Sequence, residues 1–405
     1  MAVQKLRVYA TACLSIILVL FIVLFPKESL DAASRGINTW FNIVFPALLP
    51  FFIGAELLIG TGVVAFMGTL LQPLMKPLFN TPGSSSFVMA MSVTSGYPMG
   101  PKLISQLRQQ KSITRIEGER MLSFCTTSGP LFMLGAVAVG MYGSTALGIT
   151  LLAAHYLACL STGLMFRFYK RDRDLYFNKS SYNRKQKKDK ILKSAFNSLY
   201  NARITDGRPL GKLLGDAVKD SVYTLLQIGG FIILFSVIIS ILDITGILDT
   251  TAGLIHTLLP GSLDTGLIKA LVSGVFEITV GSKLGSEVPG LLLHKTWIVC
   301  SIITWGGLSV HAQVASLLSN CDISIKPYIT AKSIQAVLAG IYGFILFRIT
   351  FPLAQAAFKP SDVPREIGWL GSLVASGKLM AGLLGVLATV AVLCLLIRNL
   401  KIIKL

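Results

Sequence analysis

Two polar interruptions break the long apolar runs of this chain, offset from one another by 178 residues. The first reads Ser92-Val93-Thr94-Ser95-Gly96-Tyr97-Pro98-Met99-Gly100-Pro101-Lys102, the second Ser273-Gly274-Val275-Phe276-Glu277-Ile278-Thr279-Val280-Gly281-Ser282-Lys283. Against lipid such residues are costly, because unpaired backbone groups find no water there. They are tolerated at membrane depth where they line a cavity. A helix that restarts after a break presents free N–H groups and a partial positive charge, which suits a carboxylate or phosphate. In the first interruption Gly96 and Gly100 permit the turn, while Pro98 and Pro101 withhold regular helical bonding. Ser92, Thr94, Ser95 and Tyr97 add hydroxyls, and Lys102 follows on the next turn, where it either serves the solute or snorkels to the surface. In the second, Glu277 and Thr279 replace Tyr97-Pro98, and Gly281-Ser282-Lys283 follows. Three roles stay open for Glu277: pairing with Lys283, coupling to a proton or cation, and a place in an outside loop.

Two further clusters fall within apolar segments expected to be intact spans. Ser123, Thr126, Thr127, Ser128, Gly129 and Pro130 lie early in segment 122–142. Thr304, Trp305, Gly306, Gly307, Ser309, His311 and Gln313 occupy the matching point later in the chain. Either they line a cavity opposite the interruptions or their small residues serve helix packing. His311 is a group that titrates near neutral pH or a hydrogen-bonded interior residue. Glu56, within segment 40–62, requires an interior partner or protonation.

Composition says which elements must carry these residues. With 53% hydrophobic residues, 14% charged and a mean hydropathy of +0.68, the chain reads as an all-α polytopic membrane protein. Apolar segments at 8–25, 40–62, 122–142, 145–167, 222–242, 297–318, 331–350 and 380–397 predict about eight spans. The first is read as an uncleaved span, being long for a signal-peptide core. Shorter broken elements at 84–107 and 265–288 are expected to enter and leave on one side. The net charge of +18 is concentrated in Arg167–Lys219, where fifteen Lys/Arg face five Asp. That block is a cytoplasmic topology signal, compatible with contact to anionic lipid, and no nucleic-acid partner is expected. It places both termini inside.

The matched interruptions, together with Ser128-Gly129 and Gly306-Gly307 at the same offset, predict an inverted repeat. Each unit would hold about three spans plus one re-entrant broken helix. The corresponding division is residues 1–38 (first span and outside loop), 39–168 (first repeat), 169–219 (basic linker), 220–350 (second repeat) and 351–405 (outside loop and last span). Metalloprotease, P-loop, dinucleotide-binding and nucleophile-elbow motifs are missing, and the six cysteines are scattered without a CxxC pair. The chain is therefore expected to be no enzyme, with no metal site and no cofactor, transporting passively or coupled to H+ or Na+.

Through Ser95-Gly96-Tyr97-Pro98-Met99-Gly100-Pro101-Lys102, the duplicated segments and the central basic loop, the sequence resembles the sporulation integral membrane protein family YlbJ, also called stage V sporulation protein V. That family is described as carrying two Gate (nucleoside-recognition-type) repeats, related to concentrative nucleoside transporters. The resemblance implies a protein of the outer forespore membrane of a spore-forming bacterium, moving dipicolinate out of the mother cell. A separate inner-membrane system would then take it into the spore core. A dianion suits two opposed half-helix N-termini, with Lys102 and Lys283 as candidates beside them; Glu277 departs from a simple anion site. Two alternatives stand beside this: a carrier of nucleosides or other small metabolites, and a non-transporting sporulation scaffold.

Overall fold

The computed structural model describes residues 2–97, 99–170, 191–258 and 264–358. The described chain is all helix and connecting turn, without a strand. Five helical segments among the described residues are long and apolar enough to cross a bilayer: Pro26–Gly60, Thr145–Phe166, Leu210–Ile244, Leu292–Leu318 and Ile325–Pro352. The expected segment 380–397, residues 171–190 of the basic block, the C-terminal tail and Pro98 lie outside the described residues.

Helix α1 (Ala2–Leu24) leads into α2 (Pro26–Thr39), where Pro26 occupies the first turn and its missing N–H leaves no bond unmade. A π-helical turn at Trp40–Val44 carries α2 into α3 (Phe45–Gly60). There the Trp40 indole donates to the Leu225 carbonyl at 2.9 Å. Next come α4 (Val63–Phe79), α5 (Ser84–Ser95), α6 (Met99–Gln109) and α7 (Arg115–Leu122). An irregular stretch, 123–129, precedes a π-helical segment, Phe132–Met141, and then α8 (Thr145–Phe166). After α9 (Ile191–Asp206) the order begins again: α10 (Leu210–Ile244), α11 (Ile247–Leu258), α12 (Thr265–Phe276), α13 (Ile278–Glu287), α14 (Leu292–Trp305), α15 (Gly307–Leu318) and α16 (Ile325–Phe358). Both halves thus run long helix, short helix, hairpin, broken helix, long helix.

The hairpins are α5/α6 and α12/α13, and their open ends lie at opposite ends of the bundle. At one end, here the basic end, Arg108 of α6 binds Asp322 through two hydrogen bonds of 2.7 and 2.9 Å. That guanidinium holds the Asp322 carboxyl below its ordinary range. The buried Glu119 of α7 takes Arg115 and Lys170, each at 2.9 Å. A capping box between Thr114 and Glu117 starts α7 beside them. At the same end α4 lies along α9, with the Phe66 and Phe196 rings 5.1 Å apart. At the opposite end Gly285 of α13 lies against Tyr142, in the turn before α8. In the interior α8 packs along α16, and Ala154, Ala158, Cys300 and Ala339 are all but fully buried. Residues this small let the helices approach closely.

The structure corrects one expectation about continuity. Segments 122–142 and 297–318 are not intact spans. The first is unwound over 123–129, and the second is interrupted at Gly306-Gly307, both with positive φ (90° and 75°). Two glycines suffice to break a helix whose flanks are apolar, so a hydropathy window passes over them.

Candidate solute-binding site

Both hairpin tips and both broken helices converge on one buried cavity. Thr94, Ser95, Gly96 and Tyr97 of the first tip face it, as do Glu277, Ile278 and Thr279 of the second. Ser128 and Gly129 come from the unwound stretch, and Ser309, Val310 and Gln313 from α15. Leu48, Phe52, Leu131, Phe132, Ile228 and Phe231 complete an apolar wall. The volume is about 80 Å³, room for a few waters. A second hollow of about 490 Å³ continues between α10 and α15 toward the basic end, past Gln227, Thr224 and Ser316. Ile228, Phe231 and Gln313 wall both spaces, so these three side chains form the partition. A third hollow of about 380 Å³ lies at the opposite end, lined by Arg35, Asn38, Asp243, Lys269, Lys283 and Glu287 among others, and shares no wall residue with the central cavity.

The two tips turn by different means. Gly96 has φ 71° and ψ −159°, a region essentially restricted to glycine. Its α-carbon faces Gly129, where a Cβ would come within 2.8 Å of the Gly129 nitrogen. Helix α6 then restarts at Met99. In the second tip the turn is the extended Glu277, whose carboxylate accepts the Val280 N–H at 2.7 Å and caps α13. The N-terminus of α13 is therefore occupied by a carboxylate of the chain itself. Helix α15 starts at Gly306-Gly307 with no side-chain cap, and its first turns carry Ser309 and Val310 into the cavity. The terminus left without a side-chain cap is that of α15.

Unwound backbone inside a membrane protein needs donors and acceptors from elsewhere. Tyr328, Lys332 and Gln335, at i, i+4 and i+7 on one face of α16, reach toward the breaks. Lys332 is 1% exposed; its ammonium donates to the Tyr97 hydroxyl (2.6 Å), the Thr126 carbonyl (2.6 Å) and the Thr304 carbonyl (3.2 Å). The Gln335 amide donates to the Ser123 carbonyl. From α8, His155 joins the halves: its Nε2 accepts the Ser128 N–H at 3.0 Å, and its Nδ1 lies 2.9 Å from the Thr304 hydroxyl. A backbone N–H can only donate, so Nε2 is unprotonated and the proton sits on Nδ1.

Of the other residues singled out from sequence, Ser92 and Thr127 bond one another behind the wall, and Thr126 is buried with its hydroxyl on the Leu122 carbonyl. Gly100 is buried against the Cys125 carbonyl. His311 is an interior residue with Nδ1 2.9 Å from the Tyr328 hydroxyl. Ser273 and Gly274 lie inside α12, and Gly281 and Ser282 inside α13, because the second break comes one turn later than the offset implies. Gly274 and Gly281 instead let the two arms touch: a Cβ on Gly281 would sit 2.3 Å from the Gly274 α-carbon. Neither lysine reaches the cavity. Lys102 is exposed on α6, within electrostatic reach of Glu56. Lys283 pairs with Glu287 at 3.1 Å in the opposite-end hollow. Sequence reading missed Lys332 and the bridging role of His155; a lysine just inside an apolar segment was the available signal.

Comparison with known proteins identifies the family. A family model described as Gate, nucleoside recognition, matches residues 41–168, from the end of α2 to the end of α8. The sporulation integral membrane protein YlbJ of Bacillus subtilis (strain 168) is 44% identical over 365 residues, covering 89% of this chain and 87% of that protein. No solved structure matches. An identity of that level over nearly the whole length, joined to a bundle of membrane-spanning helices, makes this chain an integral membrane protein belonging to the YlbJ sporulation family.

Proposed function

We propose that the protein is a secondary carrier of a small organic anion, with dipicolinate (pyridine-2,6-dicarboxylate) as its substrate. The observation that carries this reading is the convergence of two hairpin tips and two broken helices on one cavity, polar at the tips and apolar over the rest of its wall. Such paired discontinuities are the architecture of carriers, whose half-helix N-termini receive anionic groups. The uncapped terminus of α15, with the Lys332 ammonium behind Tyr97, favours negative charge in the cavity. Dipicolinate is chosen on the family resemblance, and the relative's name adds a setting in sporulation.

In this reading the halves are inverted repeats, α3–α8 and α10–α16, with about eight spans and both termini in the cytoplasm. The basic end faces the mother-cell cytoplasm across the outer forespore membrane, and the cavity is loaded from that side through the 490 Å³ hollow. The solute is released at the opposite end, for an inner-membrane system to collect. The protein catalyses no reaction. A nucleoside carrier is the second reading, favoured by the nucleoside-recognition description of the matching family model. Calorimetry of the purified protein against dipicolinate, picolinate and adenosine separates the two. Binding of dipicolinate in preference to both is expected; binding of adenosine alone would replace the first reading by the second.

A further inference from the structure

The strongest unexplained feature is a buried ammonium with no carboxylate beside it among the described residues. Lys332 lies seven residues into α16, about 10 Å along the helix axis. Its three donors are all used, on Tyr97, Thr126 and Thr304. Thr126 and Thr304 stand at the same 178-residue offset as the two interruptions. Their carbonyls are free for the same reason: one belongs to the unwound stretch 123–129, the other to the last turn of α14. The ammonium thus sits where equivalent backbone groups of the two halves meet. Among the described residues, the titratable groups facing it include Tyr97, Cys159, His155 and His311, none of them a carboxylate.

In ion-coupled carriers, unwound carbonyls of this kind coordinate Na+. We propose that Lys332 is a resident cation, filling an oxygen cage at the junction of the halves so that transport requires no metal ion there. The inference rests on the carrier reading for its role in transport, but the cage itself is testable without any solute. A mere staple between the halves would not need charge, since a neutral donor spans the same oxygens without the penalty of burying an ammonium. No carboxylate among the described residues compensates the charge, which is presented to the cavity through Tyr97. An anionic solute supplies the compensation.

The test is thermal unfolding of the purified full chain in sodium, methylammonium and choline chlorides at one ionic strength. The wild-type midpoint is expected to be the same in all three, because the cage is already full. Lys332→Ala is expected to unfold earlier and to regain stability saturably with methylammonium, weakly with sodium and not with choline. A sodium-specific rise in the wild type, or a variant indifferent to all three salts, overturns the proposal. If Lys332→Ala yields no folded protein, Lys332→Gln, which keeps two donors but no charge, is compared with wild type for dipicolinate binding. A loss of about tenfold or more supports the charge role, and unchanged affinity overturns it. A wild type that binds no dipicolinate refutes the carrier reading separately, since the salt titration does not depend on it.

Discussion

Among single residues, the proposed anion site turns on charge. Glu277 contributes a carboxylate to the wall while spending its hydrogen bond on Val280. Glu277→Gln keeps an acceptor for the cap and removes the repulsion felt by an anion. Relief of about 1 kcal/mol corresponds to roughly fivefold tighter dipicolinate binding. Calorimetry reads this directly, and weaker binding would instead mark Glu277 as the ligand of a coupling ion. Lys102 is expected to behave otherwise. It follows Pro101 in sequence but lies exposed on the outside of α6, near Glu56. Lys102→Ala should leave affinity within about twofold, since exposed charges are screened beyond about 8 Å at physiological salt. Sequence made Lys102 a site residue because it is contiguous with the break. Neighbouring helix positions face different directions, however, and contiguity does not place a side chain. Lys332 lies more than two hundred residues from Tyr97 in sequence, and only folding brings them together.

At the level of elements, the breaks themselves were legible because Gly-Pro chemistry acts locally. Their exact form was not. The first tip rests on Gly96, whose backbone angles exclude a side chain, and Gly96→Ala adds strain of about 1–3 kcal/mol together with a clash against Gly129. Membrane yield with preserved fold but lost uptake is the expected outcome, measured in vesicles; uptake at the wild-type rate would show that the tip is not part of the pathway. The second tip uses Glu277 as a helix cap, which no glycine pattern announces. The unwound stretch 123–129 depends on α16, a helix that hydropathy alone reports as a plain span. Gln335→Leu removes the donor to the Ser123 carbonyl and leaves a buried acceptor unpaired, at a cost of about 1–3 kcal/mol. A lowered unfolding midpoint is expected, and an unchanged one would mean water takes the amide's place.

For the whole molecule the question is which side each hollow faces. Hydropathy and the basic linker predicted the sides, but not that the cavity borders the hollow toward the basic end, since that depends on how Ile228, Phe231 and Gln313 pack between α10 and α15. An inverted arrangement requires Gln227 and Asn38, which wall hollows at opposite ends of the bundle, to open on opposite faces of the membrane. Single cysteines at these positions, in a background with Cys13, Cys321 and Cys394 replaced by serine, test this with a membrane-impermeant maleimide. Gln227→Cys is expected to react only from the cytoplasmic face and Asn38→Cys only from the other. Reaction of both from one face would remove the inverted repeat. A solute that stabilises the alternate state must change both ends together, because a ligand shifts a two-state equilibrium only through its different affinity for the two states. Saturating dipicolinate should therefore slow Gln227→Cys and speed Leu284→Cys, which lines the opposite hollow. Slowing at both positions would mean that the solute closes the molecule instead of turning it, and no change at either would mean that dipicolinate does not drive the cycle.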